Sequence, residues 1–219
     1  MKKVAPPPPP PPSESIVGQY NREQPLQKSL FKGDQAILSN QDIDRILTAK
    51  ITLTDRHRVA VLQLNPRFDW SQELTELEAH NSEQFLRELG TAHEFTQIRL
   101  MPGLLVPERR TIPYLREAVA RFQADLLLIY SSRVRTFQRD RLLGADEVKV
   151  ESTVESVLLD VRTGIVIHTV LVSEGVSARK TPGDLNFSQT VAKAETEATG
   201  KALLKLADDV VAFAHTAEK

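Results

Sequence analysis

Arg133, Arg135, Arg139 and Arg141 crowd around Phe137, and Arg109-Arg110 can add to them. Planar guanidinium groups interleaved with an aromatic ring suit ion pairing and stacking, so the run reads as a docking face for an acidic partner or for an anionic glycan or lipid. The other reading is a solvated hairpin whose arginines pair with Asp140, Asp146 and Glu147, each surface pair contributing about 0 to 1 kcal/mol. Arg133, Arg135, Phe137, Arg139 and Arg141 are the candidate partner-binding residues.

Residues suited to catalysis are present but not in catalytic patterns. His57, His80, His93, His168 and His215 are scattered and form no helical i, i+4 metal-site pattern, so they read as surface or strand histidines. Ser131-Ser132 follows an apolar strand, at the carboxyl end where α/β enzymes place nucleophiles, yet no Gly-x-Ser-x-Gly elbow surrounds it. Asp125, Asp140, Asp146 and Glu147 have the chemistry of an acid and base pair, but carboxylates between strands are usually solvated. Gly144, Gly164, Gly175 and Gly183 stand alone, without a phosphate-cradling cluster. The sequence therefore leads us to expect a protein that is not an enzyme, with no catalytic residue, cofactor or metal ligand.

The elements that must position these side chains follow from periodicity. Ser39 and Asp42 make a capping pair ahead of Ile43, Ile46 and Leu47, where the folded domain should begin. Arg58 to Leu64 is a strand with an unbroken apolar centre, closed by Asn65-Pro66. Ser71 to Gly90 carries Leu74, Leu77, Phe85 and Leu89 at helical spacing, with a break expected at Asn81-Ser82, where Ser82 would cap a second helix. Phe95 to Leu100 reads as a strand, and Ile112, Leu115, Val119 and Phe122 as one face of a helix. Leu126 to Tyr130, the most hydrophobic run, should be a central strand.

Val148 to Val161 and Ile165 to Val176 form the clearest local pattern, a β-hairpin turned through Asp160-Val161-Arg162-Thr163-Gly164. A change of apolar parity along its first strand predicts a bulge or a newly covered face near Glu155 or Ser156. Val191, Ala194, Ala198, Ala202, Leu206, Val210 and Phe213 trace one stripe of a long last helix. The fold class is α/β (α+β): a mixed sheet with a long C-terminal β-hairpin and helices on its faces.

Pro6 to Pro12 is an uninterrupted proline run, a stiff polyproline II rod about 22 Å long. It serves as a spacer or as a ligand for an SH3-like or WW-like groove. Residues 1–38 read as a disordered proline-rich linker and 39–219 as one α/β domain. With 28 lysines and arginines against 29 aspartates and glutamates, no global field draws in nucleic acid. Cysteine is absent, which removes disulfides and thiolate chemistry. No apolar run approaches the roughly 20 residues of a membrane-spanning helix.

Ala124-Asp125-Leu126-Leu127-Leu128-Ile129, Val157-Leu158-Leu159-Asp160-Val161-Arg162-Thr163-Gly164 and the alanine-rich last helix resemble bacterial envelope lipoproteins of the curli-secretion (CsgG-like) and penicillin-binding-protein-activator type. The resemblance runs from about Ile43 to Phe213. It implies a periplasmic, outer-membrane-tethered adaptor that binds another envelope protein and touches the membrane only through a lipid anchor. The lipid-modified cysteine of that family is not in this sequence, so Met1 would follow a removed signal and anchor. The short, charged stretch from Arg133 to Val148 departs from the barrel-forming segments of the curli channel and disfavours a pore. A subunit of an oligomeric envelope or secretion complex, and an enzyme with an unrecognised site, remain the alternatives.

Overall fold

The computed structural model describes residues 30, 38–49, 52–53, 56–66, 71–139 and 147–217, without the side chains of 138 and 139. The proline run, Arg141, Asp140 and Asp146 lie outside the described residues. Helix α1 (Asn40–Thr48) begins where expected: Ser39 is its N-cap and accepts from the Asp42 amide at 3.1 Å. Its apolar side is not buried, with Leu47 78% exposed.

Strands β1 (His57–Gln63), β2 (Phe95–Leu100), β3 (Leu126–Arg139), β4 (Glu147–Asp160) and β5 (Val166–Arg179) form one sheet in the order β2-β1-β3-β4-β5. The pairs involving β1 are parallel, and β3-β4 and β4-β5 are antiparallel. Helices α2 (Gln72–Leu89), α3 (Ile112–Arg121) and α4 (Phe187–Ala217) complete the mixed α+β fold. The long C-terminal hairpin stands as expected.

Two corrections concern element boundaries. Ser71 to Gly90 forms one continuous helix, α2, rather than two. Asn81 does not break it because its amide turns outward and donates to the Thr196 carbonyl of α4 at 3.0 Å. The central strand does not stop at Tyr130 but runs on to Arg139, carried by fourteen paired residues of β4.

The β4-β5 register shifts between Leu158 and Leu159 rather than near Glu155 or Ser156. Even-numbered residues from Val148 to Leu158 face the side of the sheet that α4 covers, and Leu159 enters the core on the other side. The parity change in the sequence thus marks the point where both faces become covered.

Helices α2 and α4 cover one face, burying Phe85, Leu89, Leu206 and Val210 against Val59, Val61, Leu126, Leu128 and Leu158. On the other face α3 buries Leu115 and Val119 against Ala60, Leu62, Leu127, Ile129 and Leu159. This accounts for the unbroken apolar run of β1, buried on both sides as parallel strands are. Leu30, inside the stretch read as linker, packs beside the α3 core, and its carbonyl accepts from the Ile112 amide at 3.1 Å.

Candidate partner-binding face

The phrases that carried the family resemblance have structural work. Asp125 accepts from the Arg58 amide at 3.1 Å and its Nε at 3.2 Å, so one carboxylate fixes the starts of β1 and β3. Burial alone would raise the Asp125 carboxyl, but the bonds from Arg58 outweigh it and hold it below the ordinary range. Asp125 is thus an ionised brace between the two strands.

Asp160 closes the hairpin by accepting from the Thr163 amide and hydroxyl, both at 2.6 Å, while its own carbonyl takes the Gly164 amide at 2.8 Å. Gly164 stands at φ +79°, which a residue with a β-carbon adopts only under strain.

Beyond Ile129 and Leu159 the α3 core ends, while β3, β4 and β5 continue. Side chains alternate, so Val134 packs into the core with Val148, Val150 and Ala194, and Thr136 donates to Glu195 of α4 at 2.8 Å. Arg133, Arg135 and Phe137 therefore point to the opposite face, where all three are exposed. Phe137 is 53% exposed and Leu171, which opposes Glu155 across β4-β5, is 71% exposed. The β3-β4 pairing sets Arg133 against Thr153, Arg135 against Glu151 and Phe137 against Lys149.

The structure brings three of the five candidate residues onto one face; Arg139 has the same parity in the backbone of β3, and Arg141 lies outside the described residues. Of the acids expected to pair with the arginines, Glu147 meets Arg179 at 3.6 Å, whereas Arg133 meets Glu155 at 2.8 Å. Arg109 instead lies 5.9 Å from the ring centre of Tyr114 on α3. From Arg133 to Arg139 the run is strand, and Arg133-Val134-Arg135-Thr136-Phe137 carries a period-two signal that the sequence reading passed over.

At the foot of this face an open trough of about 500 Å³ is lined by Leu30, Leu64, Ile129, Val157 and Leu171. Ser131 and Glu155 also line it, and the Ser131 hydroxyl donates to Glu155 at 3.1 Å. Ser131 is thus an interior strand residue rather than a strand-end serine, and its carboxylate partner is shared with Arg133.

A second hollow of about 160 Å³ lies beside Tyr130 and Ser132 between the sheet, α2 and α4. Burial, then the charge of Glu78, pushes the Tyr130 hydroxyl up, so it remains neutral. Among the described residues His93, Glu94 and His215 come together, a grouping that the sequence reading missed because the two partners in the Glu94–His215 contact stand 121 residues apart. No helix among the described residues is long and apolar enough to cross a membrane.

No family model matches the chain, and no curated protein matches it. Solved structures do resemble it. A minor lipoprotein from Acinetobacter baumannii is 11% identical, with 71% of this chain and 93% of that one covered at a TM-score of 0.40. A Xanthomonas campestris protein of the DUF330 family is 9% identical, covering 74% and 88% at a TM-score of 0.41. Lipoprotein GNA1162 from Neisseria meningitidis is 14% identical, covering 71% and 98% at a TM-score of 0.34.

Proposed function

We propose that this chain is a non-catalytic, outer-membrane-tethered periplasmic adaptor that docks another envelope protein on the face of β3, β4 and β5 that α2 and α4 leave open among the described residues. One observation carries the docking reading: Arg133, Arg135, Phe137 and Leu171 are exposed on the side of the long strands that α2 and α4 do not cover. Arginine and aromatic side chains are the types enriched where interfaces gain their energy. The envelope location rests on the sequence resemblance; backbone likeness to lipoproteins at TM-scores of 0.34 to 0.40 adds no weight of its own.

The face sets a size for the partner contact. Eight steps from Ser131 to Arg139 at about 3.4 Å, across three strands about 4.8 Å apart, give a flat footprint of roughly 400 Å². A standard interface buries about 800 Å² per partner. A partner must therefore also use the trough or the outer edge of β5, the last strand of the sheet.

The test places a photoreactive side chain at Phe137, at Leu171 and, as control, at His80 on α2, in the full chain inside the native cell. The reading expects the first two positions to crosslink the same envelope protein, and Arg135→Glu to abolish both adducts. Crosslinks from His80 alone, or recovery of the chain in the cytosol, would overturn it.

A second reading follows from that same fourteen-residue β5 edge: strand addition between copies in an oligomeric envelope complex. Light scattering separates them, since the adaptor alone is monomeric.

A further inference from the structure

We propose that His93, Glu94 and His215 form a binding site for one divalent transition-metal ion of the Zn²⁺ class. The site is built from two distant pieces of chain. His93 and Glu94 lie in the turn entering β2, and His215 lies in the last turn of α4. Both supports are fixed by backbone bonds: the Glu94 carbonyl accepts from the His57 amide at 2.7 Å, and Leu53 donates to the Ala217 carbonyl at 3.2 Å.

The donor atoms already converge. Glu94 Oε1 stands 2.9 Å from His215 Nδ1 and 3.5 Å from His93 Nε2, and one ligand atom from each residue lies within 4.8 Å of the others. Tetrahedral zinc with bonds of about 2.0 to 2.2 Å separates its donors by roughly 3.4 Å, so the two contacts with Glu94 straddle the required spacing. The imidazole rings are stacked, 5.3 Å between centroids and 18° between planes.

A second observation points to an absent ligand rather than to a surface charge pair. The Glu94 side chain is only 2% exposed, and its Oε2 is buried without a hydrogen-bond partner. A buried carboxylate oxygen left without a partner costs free energy, and an ion held by both oxygens of Glu94 would give Oε2 the partner it lacks. The imidazoles above it are open to water, at 65% and 46% exposure. The arrangement is a buried carboxylate floor under two imidazole ligands, with the outward side open to water or an external ligand, the pattern of an open rather than a closed zinc site. Two nitrogens and one oxygen favour zinc, copper, nickel or ferrous ions over magnesium and calcium, which take oxygen ligands. The bound ion would clasp the end of α4 to the entrance of β2.

The experiment titrates ZnCl₂ into tag-free, chelator-treated full-length protein by calorimetry, with Co²⁺ absorption as an independent report of ligand type. The expected result is one ion per chain and a Tm raised by about 5 to 10 °C at a free-ion concentration a hundredfold above Kd. His93→Ala and His215→Ala each weaken binding by about tenfold or more, since even second-shell changes cost that much. His80→Ala, on an exposed helical histidine, leaves binding unchanged. Because His93 is exposed, its variant keeps the fold and decides the matter even if Glu94→Gln or His215→Ala does not fold. No saturable binding, or equal loss in His80→Ala and His93→Ala, would overturn the proposal.

Discussion

Replacing Gly200 with alanine tests how α2 and α4 are locked together. A β-carbon added there would lie 2.6 Å from Asn81 Cγ and Oδ1 and 2.7 Å from Nδ2. Carbon contacts are comfortable at about 3.5 Å and beyond, so the overlap is roughly 1 Å and the Asn81 amide has to swing away from the Thr196 carbonyl. Stranding that half-buried donor costs about 1 to 3 kcal/mol, against about 1 kcal/mol gained when alanine replaces glycine in a helix.

Gly200→Ala should therefore destabilise by about 1 kcal/mol, or about 2 to 4 °C in Tm. Asn81→Ala loses the hydrogen bond alone, about 1 kcal/mol. The double variant has no clash and keeps the helix gain, so it should return close to the parent protein, with a coupling of about 2 kcal/mol. Urea unfolding of the full chain followed by far-UV circular dichroism reads all four corners of the cycle. A Gly200→Ala protein more stable than the parent, or a cycle additive within about 0.5 kcal/mol, would refute the account.

Two further expectations follow. Asp184 anchors the start of α4 by accepting from the Thr181 amide and hydroxyl, both at 2.8 Å, from Thr190 and from Lys193, and these bonds, the Thr181 amide foremost, hold its carboxyl far below the ordinary range. Its contribution is complete above the unfolded value near pH 4 and fades as pH falls toward the depressed folded value, so the Tm deficit of Asp184→Asn at pH 7 should shrink below about pH 4, and a deficit constant down to pH 2 would contradict this. Gly164→Ala forces a β-carbon to 2.9 Å from the Arg116 guanidinium as well as into positive φ, so it should cost about 1 to 3 kcal/mol in chemical denaturation, and a neutral result would show that the turn relaxes.

What the sequence could reveal tracks how local each signal is. The β4-β5 hairpin was legible because Asp160, Thr163 and Gly164 satisfy one another within five residues. The last helix was legible because its stripe repeats from Val191 to Phe213 without a partner needing to be known. The continuity of α2 was not, since Asn81 is acceptable in mid-helix only because Gly200 leaves room for it across the interface. The extension of β3 was hidden by charge: the arginines between Arg133 and Arg141 drew attention away from Val134 and Thr136, which share the covered face. Four of the candidate residues named from the sequence, Arg133, Arg135, Phe137 and Arg139, lie on β3. The His93, Glu94 and His215 cluster could not be named in advance, because no spacing links its two halves.

The sheet also joins two kinds of chain closure. Bringing Arg58 to Asp125 closes a span of 67 residues, whereas β4 meets β5 through the few residues between Asp160 and Val166. Loop entropy rises as the logarithm of length, so the parallel junction starts with a handicap of about 2 kcal/mol against the meander. The antiparallel ribbon can assemble from neighbouring chain, while β1 must be brought back through two crossover helices before Asp125 has anything to hold. Assembly of this molecule is thus weighted toward its C-terminal half, with the parallel strands recruited onto a surface that already exists.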